Sequence, residues 1–374
     1  MKYKIALFQG DGVGPELIAE GMKVIEKASE LDKFGIEWID YPHGAEHYNE
    51  TKELPGEKLL KDIKASCNAI YCGTFDKING DSKANIPNLI KDYFEQSISL
   101  RPIRLLPSVD SPLVGKTSED IDFVIIRENS EDFYVGAAGR AKSGKNKNQL
   151  SINNSTLKIR LGMDIESKGS EIAYQLGVIS KKGCERIIKY AFEYAKGNDI
   201  KKITSVDKAN LLEFYNFWRE CLEKVAKDYH DIQYECNLAN SAIMGLIRQP
   251  EKYKMIVAPN LIGDILSELG TMLQGGIAFG ARGNINPEGL SMFEPIHGSA
   301  SKLKGQGIIS PIATIWAGAL MLENIGQRKS GELIMKAIAA VLKEGKTRTQ
   351  ELDGSNTTSE MGDAIADKFV EMHE

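Results

Sequence analysis

The first third of the chain alternates apolar segments of strand length with segments in which apolar residues recur at the spacing of a helix. Strands are predicted at KIALFQ, IEWIDYP and NAIYCGTF, and helices at residues 15 to about 31 and in LLKDIKA. Regular alternation of strands and helices is typical of a parallel sheet that is covered by helices. The pattern therefore predicts an α/β fold.

The rest of the chain continues this pattern and then changes. Further strands are predicted at ISLRPIRLL, DFVIIREN, KITSVDKAN, IQYECN and KMIVAPN, with helices at CERIIKYAFEYAKG, LLEFYNFWRECLEKVAKDY and SAIMGLIRQ. The last third is predicted to be mostly helical, in LIGDILSELGTML, ATIWAGALMLENIG, GELIMKAIAAVLKEG and SEMGDAIADKFVEM. Residues 139 to about 170 are rich in Lys, Asn, Ser and Gly and have weak periodicity, so we expect an exposed arm or a long loop there.

Length, charge and cysteine usage narrow the class of protein. A chain of 374 residues exceeds the roughly 250–300 residues at which a single core stops growing, so two lobes are expected. The net charge of -5 gives no electrostatic reason to expect nucleic acid. The five scattered cysteines form no CxxC pair, which argues against a disulfide framework and a zinc site. The most apolar stretch, residues 307–322, is too short to span a membrane, and the first residues are unlike a signal peptide, so we expect a cytoplasmic protein.

A glycine cluster, GDGVGPE, begins at Gly10 and joins the first predicted strand to the first predicted helix. It does not match the dinucleotide fingerprint GxGxxG, because Pro15 stands where the last glycine is required. We favour a tight strand-to-helix turn with proline in the first helical turn.

Two acidic and three basic residues are candidates for metal binding, substrate binding or catalysis. Asp264 and Glu268 lie four residues apart on an apolar helix, so both carboxylates project from one face and could bind a divalent cation. A solvated helix face is the alternative for this pair. Arg101 and Arg127 lie at or near predicted strand ends, where open α/β sheets bind ligands, and the guanidinium fork matches a carboxylate. Lys208 follows another strand and could act as a base, although each of the three cations could also be an ordinary surface residue.

Eight motifs occur in the order that is found in the β-decarboxylating hydroxyacid dehydrogenases, a family that includes isocitrate, isopropylmalate and tartrate or D-malate dehydrogenases. They are GDGVGPE, LRP, RENSEDFY, DKAN, PNLIGDILSE, NINPEG, FEPIHGSA and SEMGDAI. The chain resembles this family over nearly its whole length. SLRPIRLLPSVDSPL, DIDFVIIRENSE and GNINPEGLSMFEPIHGSA are most similar to the tartrate and D-malate branch.

This resemblance implies a two-lobed, isopropylmalate dehydrogenase-like α/β fold with a mixed, largely parallel sheet and a non-Rossmann cofactor site. The large cofactor-binding domain would comprise residues 1–105 and 260–374. The small domain would comprise residues 106–259 and would carry the dimer interface and the arm at about 139–170. Because family members are homodimers with shared active sites, a homodimer is expected here.

The resemblance also implies roles for individual residues, with Mg2+ or Mn2+ and NAD or NADP as cofactors. Lys208 of the partner subunit would accept the proton of the substrate hydroxyl, and Tyr134 would protonate the carbon that has lost CO2. The implied substrate-binding residues are Asn85, Asn88, Lys91, Arg101 and Arg127, and the implied metal ligands are Asp264, Glu268 and Asn240. The implied cofactor-binding residues are Asn210, Glu294, His297, Gly298, Ser299, Ala300, Lys302, Leu303 and Ser310.

Five positions depart from the family pattern. In place of a metal-binding aspartate, a second aspartate, an arginine and a glycine, this chain has Asn240, Glu268, Lys91 and Asp132. The charge lost at Asn240 lowers the expected metal affinity. The fifth position is Lys302, which stands where NAD-using members have an acid; a lysine there, with Arg282 near it, suits the 2'-phosphate of NADP, and an exposed lysine without that role is the alternative.

These residues favour an enzyme that oxidises, and also decarboxylates, a small 2-hydroxy diacid. Polar Asn88 disfavours a bulky apolar substituent on the substrate. A malate-like or tartrate-like acid is therefore the first expectation and isocitrate the second. The alternative is a catalytically weakened paralogue that binds an acid or a nucleotide as a regulatory subunit, which the residues at positions 91, 132 and 240 motivate.

Overall fold

Ten strands form one mixed, largely parallel sheet in the computed structural model, which describes residues 1–78, 85–153 and 157–373. The described strands, in chain order, are β1 (Lys2–Gly10), β2 (Gly35–Asp40), β3 (Ala69–Thr74), β4 (Ile98–Arg104), β5 (Asp122–Glu128), β6 (Ala138–Ala141), β7 (Gly144–Asn153), β8 (Lys158–Ser167), β9 (Ile172–Gln175), β10 (Lys202–Asp207), β11 (Gln233–Leu238), β12 (Met255–Ala258), β13 (Ala281–Ile285) and β14 (Met292–Pro295). Across the main sheet their order is β11-β10-β12-β5-β4-β13-β14-β3-β1-β2. The predicted α/β fold with a mixed, largely parallel sheet is confirmed.

Helices cover both faces of this sheet. In the described residues they are α1 (Gly14–Leu31), α2 (Ala45–Thr51), α3 (Glu57–Ser66), α4 (Ile86–Tyr93), α5 (Lys181–Gly197), α6 (Tyr215–Ala226), α7 (Ala239–Arg248), α8 (Asn260–Leu273), α9 (Ile312–Asn324), α10 (Arg328–Glu344) and α11 (Thr358–His373). The first eleven residues of α9 are all buried, which confirms that this apolar stretch is a core helix. Within the described ranges, every helix is too short or too polar to cross a lipid bilayer.

The turn between β1 and α1 has the geometry that was predicted from its proline. Pro15 lies in the first turn of α1. Gly12 has a φ of +61°, and a Cβ atom there would lie 2.1 Å from the carbonyl oxygen of Ser299. The backbone N–H of Val13 donates to that same oxygen at 2.9 Å. Glycine is therefore required at this position, because the turn packs directly against the loop that contains Ser299.

The last third is less helical than predicted, because β13 and β14 both lie in it. They form an antiparallel pair, and β13 also pairs antiparallel with β4. Strands of five and four residues are too short to give a clear alternating pattern. These two strands nevertheless close the sheet between β4 and β3 and so place the NINPEG turn next to the start of β4.

The lysine-rich segment forms an antiparallel pair of strands, which agrees with the expected exposed arm and not with the alternative of a long loop. Strands β7 and β8 pair antiparallel from Gly144 opposite Ser167 to Asn153 opposite Lys158. Their residues alternate between exposed and half-buried positions, which is the period of a strand. Leu150 and Ile159 pack against a small cluster that contains the buried Ile152. Residues 154–156 of the predicted arm lie outside the described residues.

Strand register divides the centre of the sheet into two faces. Residues that lie directly opposite each other on paired strands point to the same side, as do alternate residues of one strand. One side, the polar face, is formed by Ser99, Arg101, Arg127, Arg282, Asn284 and Glu294. The other side, the apolar face, is formed by Leu100, Ile126, Gly283 and Phe293. Helix α8 packs over β4 and β5 on the polar face, and α9 packs against β13 and β14 on the apolar face.

Candidate active site

Arg127 lies near the end of β5 and reaches under α8. Its Nε and Nη2 donate to Oδ1 of Asn260 at 3.0 and 2.8 Å, and its Nη1 donates to Oδ1 of Asp264. A Cβ atom at Gly263 would lie 2.7 Å from Cγ of Arg127, so only glycine leaves room for this arginine beneath the helix. Burial lowers the pKa of Arg127, and Asp264 opposes that shift. The guanidinium is therefore held in one orientation before any ligand binds.

Tyr134 lies on the other side of the same carboxylate. Its hydroxyl donates to Oδ2 of Asp264 at 2.9 Å, and the guanidinium of Arg127 lies 5.8 Å from the centre of its ring. Half of the Tyr134 side chain is exposed. Burial of the remainder, together with the hydrogen bond to Asp264, raises the pKa of the phenol. Tyr134 is thus a protonated hydroxyl group at the open side of the cluster.

Arg101 forms the second ion pair of the polar face. Its side chain is 2% exposed, and its Nη2 donates to Oε1 of Glu268 at 3.1 Å and to Oγ1 of Thr271 at 3.2 Å. Burial lowers its pKa to about 10, with a further contribution from Arg282. The expectation that Arg101 lies at or near a strand end is wrong, because it is the fourth residue of the seven in β4. The antiparallel neighbours of β4 bring the middle of this strand, rather than its end, to the site.

Arg282 belongs to this cluster as well. Its Nε donates to Oε1 of Glu294 at 2.8 Å, and this carboxylate also accepts from Nδ2 of Asn284 at 2.7 Å. Glu294 raises the pKa of Arg282, as do Glu268 and Asp264 more weakly. The structure therefore places Arg282 on the polar face, beside the candidate substrate and metal residues.

Lys91 faces the same group of charges from helix α4. Burial lowers its pKa, and both Arg282 and Arg127 lower it further. Asn88 lies about one turn before Lys91, and Asn85 lies just before the helix, where its Oδ1 caps the helix by accepting from the backbone N–H of Asn88 at 3.0 Å. Lys91 is therefore part of the cation cluster, whereas the side chain of Asn85 is already used by the backbone.

Lys208 and Asn240 form a separate pair. Lys208 directly follows β10, and its Nζ donates to Oδ1 of Asn240 at the start of α7. Asn210 is exposed two residues later. Among the residues that the structure describes, no hydrogen bond or ion pair connects Lys208 or Asn240 with Arg127 or Asp264. One copy of the chain thus presents two groups of candidate residues without a bond between them.

The loop after β14 forms one wall of a cavity. The hydroxyl of Ser299 donates to Asp76, and that of Ser301 donates to the other oxygen of Asp76 at 2.6 Å. Gly298 and Ser299 line a cavity of about 580 Å³ together with α2 residues Ala45, Glu46 and Asn49 and with Phe75, Asp76 and Lys77. This cavity is open to solvent and lined by small and polar groups, which suits part of a nucleotide.

Most of the other predicted cofactor residues lie on the same loop or just beyond it, whereas Glu294 belongs to β14 and Asn210 lies apart from this loop, after β10. Ala300 has a left-handed backbone with a φ of +42° and precedes a short 3-10 turn that contains the exposed Lys302 and the half-buried Leu303. Burial lowers the pKa of His297. Ser310 is buried, and its backbone N–H donates to Glu351 at 3.0 Å.

Asp132 occupies a backbone conformation that explains the glycine of the family pattern. Its φ is +70°, in the left-handed region that favours glycine. Its carboxylate accepts from the hydroxyl of Tyr215 at 2.8 Å and from the backbone N–H of Leu261 at 2.9 Å. Burial raises the pKa of this acid. Asp132 therefore anchors the beginning of α8 rather than adding a free charge to the site.

Asp264 and Glu268 of α8 are the acids that were predicted to bind a divalent ion. The described residues contain no group of three or more His, Cys, Asp or Glu side chains that could hold an ion. Asp264 and Glu268 are nevertheless 37% and 63% exposed and lie one helical turn apart on the side of α8 that carries the arginines. Mg2+ is commonly bound by one or two carboxylates together with substrate oxygens and waters, and these two residues fit such a site.

Sequence reasoning missed several residues that position this cluster. Asn260 is 2% exposed and holds Arg127, and Thr271 holds Arg101. Asn260 precedes Asp264 by four residues, as Asp264 precedes Glu268, so the helical spacing was an available signal. No such local signal exists for Arg282, because its neighbours on the polar face come from other strands.

Comparison with known proteins adds independent evidence. A family model described as isocitrate/isopropylmalate dehydrogenase matches residues 4–365. The chain is 32% identical to a D-malate dehydrogenase [decarboxylating] of Escherichia coli, with 97% of each chain covered, and 32% identical to a 3-isopropylmalate dehydrogenase of Thermobifida fusca, with 98% covered. It is 31% identical to a probable tartrate dehydrogenase/decarboxylase of Bacillus subtilis, again with 98% of each chain covered. The crystal structure of isocitrate dehydrogenase from Methylococcus capsulatus is similar with a TM-score of 0.81 at 29% identity, covering 98% of this chain and 99% of that one.

Proposed function

Because this chain belongs to the isocitrate/isopropylmalate dehydrogenase family, we propose that it catalyses the metal-dependent, NAD(P)-linked oxidation and decarboxylation of a small 2-hydroxy diacid. The observation that carries this proposal is the meeting of Arg101 and Arg127 with Glu268 and Asp264 beside the hydroxyl of Tyr134. Two oriented guanidinium groups suit two carboxylates. Two exposed acids within reach of the same arginines suit a divalent ion.

In this proposal Asp264 and Glu268 hold Mg2+ or Mn2+, and Asn240 of the partner subunit adds a neutral oxygen. The bound ion would lower the pKa of the substrate hydroxyl and stabilise negative charge on its oxygen as CO2 leaves. Arg101 and Arg127 would exchange their present carboxylate partners for those of the substrate. Metal and diacid should therefore bind cooperatively, since the ion takes the acids that otherwise neutralise the arginines.

The proton transfers are assigned to two residues. Lys208 would accept the proton of the substrate hydroxyl while a hydride passes to the nicotinamide. Tyr134 would give its proton to the carbon that has lost CO2. The raised pKa of Tyr134 supports this role, because the phenol stays protonated at neutral pH and already donates towards the cluster.

We expect a homodimer in which Lys208 of the partner subunit completes the site. The separation of the Lys208–Asn240 pair from Arg127 and Asp264 supports this arrangement. Helices α7 and α8 also expose Met244, Ile247, Ile265 and Met272, at 46–59% of their side-chain area. An apolar surface of this kind fits an interface between two copies.

The finer expectations stand as parts of the same proposal. A malate-like or tartrate-like acid is the first choice of substrate and isocitrate the second. Lys302 is exposed on the loop after β14, where it could bind the 2'-phosphate of NADP. All five cysteines are free thiols, which fits the reducing cytoplasm. The division into residues 1–105 with 260–374 and residues 106–259 stays a prediction.

A substrate panel tests this function. D-malate, tartrate, isocitrate and 3-isopropylmalate are each offered with NAD and with NADP, in the presence of Mg2+ or of a chelator. Metal-dependent formation of NADH or NADPH with at least one acid, together with release of CO2, is the expected result. No turnover of any acid under any of these conditions would contradict the proposal.

Complementation between inactive variants tests the shared site. Lys208→Ala and Arg127→Met each remove a residue of a different group, so each homodimer should retain only about a hundredth of the wild-type activity or less. Mixed dimers should contain one intact site, and a random mixture should regain about a quarter of wild-type activity. If mixing the denatured and refolded variants restores nothing, while wild-type protein refolds well, Lys208 does not act across a dimer.

A catalytically weakened paralogue is the second candidate. The observation in its favour is Asn240, which stands in place of a metal-binding acid and accepts a hydrogen bond from Lys208. Tight binding of a diacid or nucleotide, measured by calorimetry, without reduction of either cofactor would identify this alternative.

A further inference from the structure

We propose that Arg282 determines substrate specificity by binding a hydrogen-bond-accepting substituent, a hydroxyl or a carboxylate, on the carbon that loses CO2. This inference rests on the proposed function and deepens it. Arg101, Arg127 and Lys91 are enough to bind the two carboxylates of a 2-hydroxy diacid. Arg282 is a fourth cation on the same surface, and the roles assigned so far leave it without a ligand.

Strand register places Arg282 among the substrate residues. Gly283 of β13 lies opposite Leu100 of β4, so Arg282 and Arg101 flank this pair from the same side of the sheet. The same register puts Arg282 opposite Glu294 on β14. Its positive charge lowers the pKa of Lys91, Arg101 and Arg127, which places it near all three other cations.

The bonds of Arg282 leave part of its guanidinium group available. Nε donates to Glu294 at 2.8 Å. Among the described residues, the two terminal nitrogens donate no hydrogen bond, and the side chain is 33% exposed. Terminal N–H groups of a fixed arginine can donate to one carboxylate or hydroxyl oxygen without a change of rotamer.

A network behind Arg282 fixes its position. Glu294 is 5% exposed and accepts a second hydrogen bond from Asn284, and Asn129 in turn donates to Oδ1 of Asn284 at 3.1 Å. Both acceptors in this hydrogen-bond network, Glu294 and Asn284, are buried and already paired. The guanidinium group is therefore held in place and does not move aside for an alkyl group. An isopropyl substituent at this point would cover open N–H groups and leave them without partners.

The charges of the site also favour a polar or negatively charged substituent on the substrate. In the described part of the polar face, three arginines (Arg101, Arg127 and Arg282) are paired with three carboxylates (Glu268, Asp264 and Glu294), and the nearby Lys91 is balanced in part by Asp92 and Glu128. A divalent ion held by Asp264 and Glu268 would take up the two carboxylates that now balance Arg101 and Arg127, and the site would then have a positive excess. A substrate that carries one more negative or strongly polar group than malate is therefore better matched to the site than one with an added alkyl group.

The test compares Arg282→Met with Arg282→Lys and with the control Arg104→Met, in the full-length chain. Arg104 is another arginine of β4, but it is 45% exposed and pairs with Asp122 at 3.2 Å. We measure kcat/KM for D-malate, tartrate, isocitrate and 3-isopropylmalate, and the binding of each acid with Mg2+ by calorimetry. The thermal unfolding of each variant reports any loss of folding.

For Arg282→Met we expect a loss of about 10- to 100-fold in kcat/KM and in affinity for tartrate and isocitrate. The loss for D-malate should stay within about threefold, and 3-isopropylmalate should improve relative to the polar acids. Arg282→Lys should retain part of the preference, and Arg104→Met should change none of these ratios. The double variant Arg282→Met with Glu294→Gln provides the same comparison without an unpaired buried carboxylate, should the single variant unfold.

Two results would overturn this inference. One is an equal loss for all four acids in a well-folded Arg282→Met variant, which means a general role in the site. The other is a change in the preference for NADP over NAD with the substrate ratios unaltered, which means that Arg282 serves the cofactor. If the wild type turns over none of the acids, the proposed function fails, and the calorimetric ratios alone decide the role of Arg282. Absence of binding by all four acids overturns both.

Discussion

The polar and apolar faces of the central strands are made from alternate residues of the same four strands, yet one face buries charges and the other buries apolar side chains. Leu100, Ile126 and Phe293 are at most 6% exposed and pack into the main core. Their immediate neighbours on the polar face include Arg101 and Arg127, which are almost as well buried but are charged. The apolar face stabilises the fold by removing apolar surface from water. The polar face accepts the cost of burying charges.

That cost is visible in the ionisation of the polar face. Burial lowers the pKa of Lys91 and Arg127, and it lowers that of Arg101 to about 10. Well-packed apolar residues often replace a buried ion pair without loss of stability. Stability alone therefore does not account for an ion-paired surface in the middle of a sheet, and a role in binding does, whereas the opposite side of the same strands has the residues that folding requires.

The largest expected effect comes from damaging the apolar face. Phe293→Ala should lower the free energy of unfolding by about 3–5 kcal/mol, because it removes a fully buried ring and leaves a cavity. The activity per folded molecule should change far less. Denaturant unfolding and active-site titration measure the two quantities separately. A variant with normal stability and lost activity would show that the two faces do not divide their work in this way.

Damage to the polar face should give the opposite result. Arg127→Met should reduce kcat/KM by about 100-fold, close to 3 kcal/mol, because charge-assisted hydrogen bonds to a substrate carboxylate are lost. The free energy of unfolding should fall by less than for Phe293→Ala, by about 1–2 kcal/mol, because Oδ1 of the buried Asn260 loses both of its donors while the partly exposed Asp264 remains solvated. Steady-state kinetics measure the change in kcat/KM, and unfolding curves measure the change in the free energy of unfolding. Arg104→Met is the control, and it should leave the kinetics unchanged because its ion pair is exposed.

Glu128 is a buried acid at the edge of the apolar face, and its raised pKa should make stability depend on pH. It pairs with Ile98 and so lies on that face, where burial raises its pKa to about 7. A raised pKa in the folded state means that the stability contributed by Glu128 is present below its unfolded value near pH 4.3 and is lost as the pH rises through about 7. The contribution of Glu128 to stability should therefore fall over this interval.

Glu128→Gln should flatten that fall by about 2 kcal/mol between pH 5 and 8. The substitution also removes an acceptor, because the carboxylate accepts from the backbone N–H groups of Ser130 and Glu131 at 2.9 and 2.7 Å. This second effect does not depend on pH, so the slope of stability against pH, rather than its absolute value, is the measurement. Parallel curves for the two proteins would rule out a proton uptake by Glu128 in this range.

The sequence was sufficient for the features that depend on local order. Periodicity predicted most helices and strands, and proline and glycine predicted the turn before α1. Asp264 and Glu268 were recognised as a pair because four residues make one turn of a helix. Arg101 and Arg127 were predicted to bind carboxylates of a substrate, and the structure pairs them with the carboxylates of Glu268 and Asp264. The periodicity, the turn and the acidic pair depend on residues within about one or two turns of each other, and such distances are fixed as soon as the secondary structure forms.

Only the tertiary structure decided the features that depend on strand register and packing. Arg101 was expected near a strand end and lies in the middle of β4, and the lysine-rich segment is a hairpin rather than a loop. Arg282 was expected near the 2'-phosphate position, and its pairing with Glu294 places it on the polar face. Residues from β4, β5, β13 and β14 meet there although they are up to about 190 positions apart in the chain. Side-chain alternation shows which residues share a face of one strand, but the alignment of two distant strands is set by the packing of the whole sheet.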